Sequence, residues 1–395
     1  LGLILDPLFS MLPLSRAMGE LAWSSSNEFL LVAIPLFIML GEILLRSGMA
    51  ERMYNAMSLW LSWLPGGLMH ANIGASALFA ATSGSSVATA ATVGTVALPQ
   101  IKKQGYNEPL FLGSLAAGGT LGILIPPSIN LVIYGVLTNT SVPKLYLAGI
   151  IPGLGMALLF MLTIAAACMV KPKWGGAKIQ ASWSQRFASL VHLVPPLGIF
   201  LLVVGGIYGG IFTPTEGAIA ACVWAIILGF FWYRTLNFKM FVKICLDTVE
   251  TTATVMFIVA AASIFGWMLT ATGVTAAISD WVLGFTQDPW KFLLLANLLM
   301  LFVGCFLEPT AAITILVPIL VPICQKLGID LVHFGLIMVL NLMIGLLHPP
   351  MGMVLFVLAR VAKLSVERTT AAILPWLFPL LGSLAVITYV PSLVL

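Results

Sequence analysis

Charged residues are scarce in this chain of 395 residues, and their scarcity excludes a water-soluble domain. Only 8% of the residues are charged, whereas soluble domains carry about 25%. Hydrophobic residues make up 60%, and the mean hydropathy is +1.09. Apolar runs of about 20 residues recur, long enough to cross a bilayer as helices. Porin-like alternation is absent, so the composition predicts an all-α polytopic membrane protein.

Reactive sets of residues are missing as well. The 5 cysteines are scattered singly, without metal-ligand spacing or a disulfide framework. No phosphate-binding glycine loop and no Ser-His-acid or Cys-His set is recognisable, so the sequence predicts that the protein is not an enzyme. The net charge of +4 forms no basic stripe, so no nucleic-acid partner is expected. Because the chain opens on apolar Leu1 without Met, we expect missing upstream residues and an incomplete first helix rather than a signal peptide.

Two Pro-Pro pairs interrupt long apolar runs, at Pro126-Pro127 and at Pro349-Pro350. Proline lacks an N–H and its ring clashes with the preceding turn, so neither helix can run through unbroken. In hydrocarbon, broken helices survive only where protein or a watery cavity satisfies the freed backbone groups. Two such breaks at corresponding places in two halves indicate the solute site of a secondary transporter, driven by an ion gradient or by another subunit.

Two pairs of apolar segments surround polar tips, and the segments of the first pair are each too short to span comfortably. The first pair, at about 68–82 and 87–100, has the tip Thr82–Ser86; the second, at about 290–325, has the tip Phe306–Thr310. We therefore predict two re-entrant helical hairpins. We also predict interfacial helices at 53–64 and around Arg234–Lys243, the second ahead of a separate span at 248–270.

The two halves share an ordered internal repeat. Paired residues lie 223 positions apart (126 to 349): Pro99 with Pro322, Gly105 with Gly328, Gly122 with Gly345, Pro126 with Pro349, Pro127 with Pro350 and Pro152 with Pro375. Gly41 and Gly48 match Gly266 and Gly273 at a separation of 225 positions (41 to 266). The predicted domains are 1–64, N-terminal scaffold helices; 65–140, first transport repeat; 141–289, scaffold helices with a cytoplasmic loop at 171–186; 290–363, second transport repeat; and 364–395, C-terminal helix.

The basic residues predict the topology. With the loop 171–186 inside and each hairpin returning to its own side, the inside holds Arg46, Arg52, Lys102, Lys103, Lys171, Lys173, Lys178, Arg186, Arg234, Lys239, Lys243, Arg360, Lys363 and Arg368. The outside keeps Arg16, Lys144, Lys291 and Lys326. This bias follows the positive-inside rule. It makes the two repeats inverted and places the C-terminus in the periplasm.

Several polar residues at the tips and breaks are candidates for binding, each with a structural alternative. Hydroxyls at the first tip, such as Ser83 and Ser86, could bind a cation or a carboxylate, or could simply pack helices. Glu308 is a costly acid at this depth, either part of an ion site or a protonated or capping group. Ser128 and Asn130 follow the first break, where they can cap a helix. His348 immediately precedes the second break, where a single histidine is more often a hydrogen-bonded structural group, and the sequence leaves its role open.

Four stretches carry a family resemblance: Ile34–Glu42, Ser83–Thr89, Leu124–Ser128 and Leu346–Gly352. Together they resemble the large membrane (M, DctM-like) subunit of tripartite ATP-independent periplasmic (TRAP) transporters, over nearly the whole chain in order. The incomplete first helix is the main departure. The resemblance implies an elevator-type transporter in the bacterial inner membrane that uses two or more Na+ ions. It also implies two partners, a small four-helix Q-type subunit and a periplasmic P-type binding protein that delivers an organic acid.

The resemblance also implies residue roles. One Na+ would lie between the first tip and the first break, at Ser83, Ser86, Gly119, Gly122 and Pro126. A second would lie at Gly304, Thr310, Gly345 and Met351. The substrate carboxylate would meet Ser83, Ser85, Ser128 and Asn130.

The substrate is predicted to be a sialic acid or a C4-dicarboxylate, and the neutral hydroxyls of the first tip favour sialic acid. The alternative is a binding-protein-independent Na+/dicarboxylate transporter of the divalent anion symporter type. Ser-Asn-Thr tips would favour that alternative, and neither tip has one. An intramembrane enzyme would need facing acids or histidine clusters, and the sequence offers none.

Overall fold

The computed structural model describes residues 14–177 and 181–394, and these residues form helices and no strand longer than one isolated bridge. Within them, eight segments are long and apolar enough to cross a membrane: Phe29–Arg46, Glu108–Thr138, Val142–Val170, Trp183–Tyr208, Pro214–Trp232, Phe238–Ala271, Pro309–Lys326 and Val366–Tyr389. The prediction of a multi-pass helical membrane protein is therefore confirmed. The start of the chain, where the sequence predicts missing upstream residues, and the charge of Lys178 lie outside the described residues, as does the side chain of Arg16.

The first half begins with helices Leu14–Ser26, Ala33–Arg46 and Met49–Leu61. Helices Leu68–Ser83 and Ser86–Ala97 form what we call the first hairpin, and the short helix Pro99–Gln104 follows. Helices Glu108–Leu124 and Ile129–Thr138 form the first broken helix, interrupted at the predicted prolines, and Val142–Val170 completes this half.

The second half repeats this order after two scaffold helices. Those helices are Trp183–Phe200, continued by wider turns to Tyr208, and Pro214–Ile227, continued in the same way to Trp232. Helices Phe238–Ala271 and Val274–Phe285 follow. The second hairpin is Pro289–Gly304 with Pro309–Lys326, and the second broken helix is Leu331–Gly345 with Met353–Ala362. Helices Val366–Ile373 and Leu377–Tyr389 end the chain.

Paired positions in the two halves share backbone geometry. Gly105 and Gly328 both adopt positive φ, at 69° and 68°, and both Pro-Pro peptide bonds are cis. Asn107 caps the start of the first broken helix by accepting a hydrogen bond from Leu110, and Asp330 caps the second in the same way. The predicted repeat therefore holds at the level of the backbone.

Two predictions for the flanking helices were wrong: the interfacial helix around Arg234–Lys243 and the separate span at 248–270. The segment Phe238–Ala271 is one continuous helix of 34 residues, with no separate interfacial helix around Arg234–Lys243. Asn237 caps it (Met240 N to Oδ1, 2.8 Å), and no proline interrupts it. Helix Val274–Phe285 was not predicted. Gly273 and its repeat partner Gly48 both adopt the left-handed conformation, and a helix begins directly after each of them. The helix predicted at 53–64 begins earlier, at Met49.

Loops that the charge count places on one side lie together. At the predicted cytoplasmic end, side chains or backbones join Thr235 to Ser47, Trp60 to Arg186 and Asn107 to Trp174. At the other end, contacts join Trp290 to Tyr389, Tyr134 to Leu331 and His333 to Ile387. Loops that the charge count assigns to the same side therefore contact one another, and residues of both hairpin tips lie close together.

Candidate functional site

One cavity of about 210 Å³ lies where both hairpin tips meet. Its wall opposite the tips is formed by two helices, Ala33–Arg46 and Phe238–Ala271, which we call the wall helices. Polar residues that line it are Glu42, Ser83, Ser85, Ser86, Asn130, Thr251, Glu308 and Thr310. The cavity thus draws on both repeats and on segments from residue 38 to residue 346.

The first tip packs directly against the first break because glycines leave no side chain between them. Gly84 turns the chain at φ 62°, and a Cβ placed there would lie 2.8 Å from the Pro127 carbonyl oxygen. A Cβ on Gly122 would lie 2.7 Å from the Ser85 carbonyl oxygen, too close for any larger residue. The structure therefore brings the first tip and the first break together, as the sequence predicted.

Hydroxyl and carbonyl oxygens concentrate at this contact. Ser86 Oγ donates to the Thr120 carbonyl at 3.3 Å, and Ser83 Oγ lies 3.3 Å from Thr89 Oγ1. Thr89 in turn donates to the Ser85 carbonyl at 2.6 Å. Of the residues assigned to the first Na+, Ser83 and Ser86 lie here beside the buried segment that contains Gly119, Gly122 and Pro126.

Ser128 and Asn130 separate in the structure. Ser128 is fully buried and caps helix Ile129–Thr138, accepting from the Leu131 N–H at 3.5 Å, and it does not line the cavity. Asn130 does line the cavity, and its Oδ1 accepts from Thr310 Oγ1 at 3.1 Å. This bond joins the first broken helix to the second hairpin.

Glu308 caps the second arm of the second hairpin. Its carboxylate accepts from the Thr310 N–H at 2.9 Å and from the Ala311 N–H at 3.3 Å, and Thr310 Oγ1 lies 3.0 Å from its other oxygen. A carboxylate at a helix N-terminus is stabilised by the unpaired N–H groups there. The structure therefore gives Glu308 a capping role, while its position on the cavity leaves the predicted ion role open to test.

The second tip and the second break also touch through glycines. A Cβ on Gly345 would lie 2.5 Å from the Gly304 carbonyl carbon, so position 345 has no room for a side chain. Met351, assigned to the same Na+ site, is 56% exposed and does not line the cavity. His348 Nδ1 lies 2.6 Å from the Pro349 carbonyl oxygen and 3.2 Å from Cys305 Sγ. His348 is therefore a hydrogen-bonded group beside the second break.

Sequence reasoning missed the contribution of the wall helices. Glu42 lines the cavity, and Arg46 Nε contacts its carboxylate at 3.1 Å. The same guanidinium contacts Asp247 on the second wall helix through Nη2. The signal was an acid and a base one turn apart inside an apolar run, which is costly in a membrane without partners.

The comparisons with known proteins fit this geometry. Residues 1–393 match the family described as "Tripartite ATP-independent periplasmic transporter, DctM component". The chain belongs to this family. The resemblance stated from the sequence is therefore confirmed, and so is the prediction of a transporter subunit rather than an enzyme.

Relatives of this DctM-family chain carry names for different solutes. It is 39% identical to the C4-dicarboxylate TRAP transporter large permease protein DctM of Pseudomonas aeruginosa, over 95% of this chain and 88% of that protein. It is 38% identical to the sialic acid TRAP transporter large permease protein SiaM of Vibrio cholerae, over 93% and 86%. It is also 38% identical to the isethionate TRAP transporter permease protein DctMQ of Oleidesulfovibrio alaskensis, over 95% of this chain but 59% of that protein.

A solved structure shares the fold. The YdaH transporter of Alcanivorax borkumensis superposes with a TM-score of 0.61, covering 90% of this chain and 84% of its own. The sequence identity is 18%, so this likeness concerns the arrangement of helices alone.

Proposed function

We propose that this chain couples the import of an organic anion to the entry of Na+ across a bacterial inner membrane. The observation that carries the proposal is the cavity between the hairpin tips. The first residues of two helices whose starts carry no charged side chain line it, namely Ser86 and Ile129, whereas the third helix at the cavity, which begins at Pro309, already has the carboxylate of Glu308 at its start. Helix N-termini carry unpaired N–H groups and a positive dipole, so they favour a carboxylate or sulfonate group.

The charge of the cavity supports a coupled cation. Its described lining residues include the acids Glu42 and Glu308 and neither a lysine nor an arginine. An organic anion entering such a cavity is repelled unless a cation enters with it. Na+ prefers oxygen ligands, which hydroxyls and unwound carbonyls supply at both tips. The proposed positions are those predicted from the sequence, with Ser83, Ser86, Gly119, Gly122 and Pro126 for one ion and Gly304, Thr310, Gly345 and Met351 for the other.

The proposed substrate class is an organic acid such as a C4-dicarboxylate or a sialic acid. Relatives named for C4-dicarboxylate, sialic acid and isethionate all handle a solute with an acidic group. Ser83, Ser85 and Asn130 face the cavity as candidate partners for that group. The divalent anion symporter alternative loses support, because the chain matches the TRAP family over residues 1–393.

The proposed mechanism is an elevator in which the hairpins and broken helices move as one body. Three contacts support this: the first tip on the first break, the second tip on the second break, and Asn130 on Thr310. The wall helices would form the boundary against which this body slides. In this proposal both hairpins are re-entrant, the first from the cytoplasm and the second from the periplasm, and the C-terminus is periplasmic.

The proposed partners are a small membrane subunit and a periplasmic binding protein. The DctMQ relative, of which this chain covers 59%, supports a permease unit that includes more than the large subunit. The scaffold segment Trp183–Tyr208 leaves large apolar side chains such as Phe187, Val194 and Leu201 exposed, a surface suited to lipid or to a neighbouring apolar helix.

The test is uptake by proteoliposomes that contain the chain with its small subunit and its binding protein. Labelled succinate, N-acetylneuraminate and isethionate are offered in Na+ and in choline buffer. We expect accumulation of one of them that requires both Na+ and the binding protein. Uptake unchanged by choline would contradict the coupling, and uptake without the binding protein would restore the symporter alternative.

A further inference from the structure

The cavity between the tips has an electrostatic problem for an anion. It is lined by Glu42 and Glu308, and no basic side chain is among its described lining residues. Glu308 is engaged by N–H groups at its own helix start. Glu42 lies within a wall helix, away from any helix start, so its charge must be compensated in another way.

Arg46 supplies that compensation. It lies one turn after Glu42, and its Nε contacts the Glu42 carboxylate at 3.1 Å. A second contact, from Nη2 to Asp247 of the other wall helix, fixes the guanidinium between the two acids. The side chains of Arg46 and Glu42 are 24% and 27% exposed. Charges this sheltered are screened less than surface charges and act over a longer distance.

The end of the first wall helix that carries Arg46 is joined to the segment that leads into the second wall helix. Thr235 Oγ1 donates to the Ser47 carbonyl at 2.9 Å. The position of Arg46 relative to Glu42 is therefore held from both wall helices.

We propose that Arg46 sets the balance between anion and cation affinity in the cavity by neutralising Glu42. Arg46 is a positioning residue, because it does not line the cavity and acts through Glu42. Without Arg46, Glu42 presents an uncompensated carboxylate to the solute. This inference rests on the proposed function, the coupled import of an organic anion with Na+.

The inference predicts that loss of Arg46 changes the anion affinity and the Na+ affinity in opposite directions. In Arg46→Gln, the extra negative charge repels the anion, and we expect the KM for the anion to rise by about tenfold. The same charge attracts cations, so the Na+ concentration for half-maximal uptake should fall. A merely structural role predicts that both affinities weaken together, because a loosened wall disturbs both sites.

The experiment uses the full permease with its small subunit and binding protein in proteoliposomes. The anion probe is whichever of succinate, N-acetylneuraminate and isethionate the unaltered protein accumulates. Arg46→Gln, Glu42→Gln and the double variant are compared. The double variant leaves the Asp247 carboxylate without Arg46, but it removes the charge that lines the cavity and restores the net charge of the Glu42–Arg46–Asp247 cluster, so both parameters should return toward the unaltered values. Thermal stabilisation by NaCl over choline chloride reports cation binding without transport.

Arg52→Gln is the matched control, since Arg52 lies near the same end of the wall but contacts Tyr233 rather than a cavity acid. We expect neither affinity to change in it. The inference fails if Arg46→Gln weakens both affinities, or if Glu42→Gln does not rescue it. Absence of Na+-dependent uptake by the unaltered protein would instead refute the proposed function, so the two failures are distinguishable.

Discussion

The two hairpin tips meet at one cavity but differ in chemistry. The first tip is built of small residues, and Ser83 and Ser86 are both almost fully buried. The second tip carries Phe306 and Leu307, which are exposed, ahead of the carboxylate of Glu308. Both tips begin a helix at the cavity, one capped by a serine hydroxyl and the other by an acid.

The two breaks differ in exposure as the two tips do, with the first more buried than the second. Pro126 and Pro127 are buried, whereas Pro350 and Met351 are exposed. The repeat has therefore kept the prolines and glycines that shape the backbone and changed the side chains around them. The comparison teaches that the first tip and break are buried, neutral and rich in hydroxyl oxygens, whereas the second tip and break are more exposed and carry a charge.

The largest expected effect tests whether both breaks are equally tight. Gly345→Ala and Gly122→Ala would each press a methyl group into backbone atoms at 2.5 Å and 2.7 Å. We expect each to destabilise the protein by about 1–3 kcal/mol and to abolish uptake, with Gly345→Ala the more severe. Thermal unfolding in detergent and uptake in proteoliposomes measure this. Gly155→Ala is the control, because no atom lies within 4 Å of its added methyl group. A well-folded, active Gly345→Ala variant would contradict the tight contact.

The next effect tests the charge that distinguishes the second tip. Glu308→Gln keeps an oxygen that can accept from Thr310 but removes a negative charge from the cavity. We expect the Na+ concentration for half-maximal uptake to rise by about tenfold, with little loss of stability. Glu367→Gln, at an exposed helix start outside the cavity, should leave Na+ dependence unaltered. Unchanged Na+ dependence in Glu308→Gln would leave Glu308 with capping alone.

A smaller effect separates the two polar residues after the first break. Ser128→Ala removes a helix cap and should lower the free energy of unfolding by about 1 kcal/mol, measured as a lower unfolding temperature. Asn130→Ala removes the bond to Thr310, worth about 0.5–1.5 kcal/mol, and should also raise the KM for the anion. The reverse pattern, with KM raised by Ser128→Ala alone, would return Ser128 to the substrate site.

The smallest effect concerns the base of the second hairpin. Lys326 pairs with Asp280 at 3.2 Å, but their side chains are 49% and 75% exposed. Lys326→Ala should therefore change stability by less than about 1 kcal/mol, since solvent and salt screen such pairs. Unfolding curves at low and high salt check this. A large, salt-sensitive loss would mean that the second hairpin is anchored at its base rather than at its tip.

Much of the fold was predictable because the residues that break helices and form turns act locally. Proline cannot continue a helix, and glycine permits positive φ. The sequence therefore predicted the breaks at Pro126 and Pro349 and the turn at Gly84. The long helix Phe238–Ala271 was misjudged because clusters of basic residues suggested an interface that the backbone does not mark. Charge predicts the side of a loop, whereas proline and capping residues decide where a helix ends.

The sequence by itself determined the membrane class, the two-fold repeat, the broken helices and the family, because each depends on composition or on spacing along the chain. Only the tertiary structure decided which polar residues share the cavity. Asn130 meets Thr310 across 180 positions, and Arg46 meets Asp247 across 201. It also placed Ser128 as a helix cap outside the cavity lining and placed Glu42 in that lining. The physical reason is that these contacts depend on how whole helices pack, and no local pattern of residues encodes that packing.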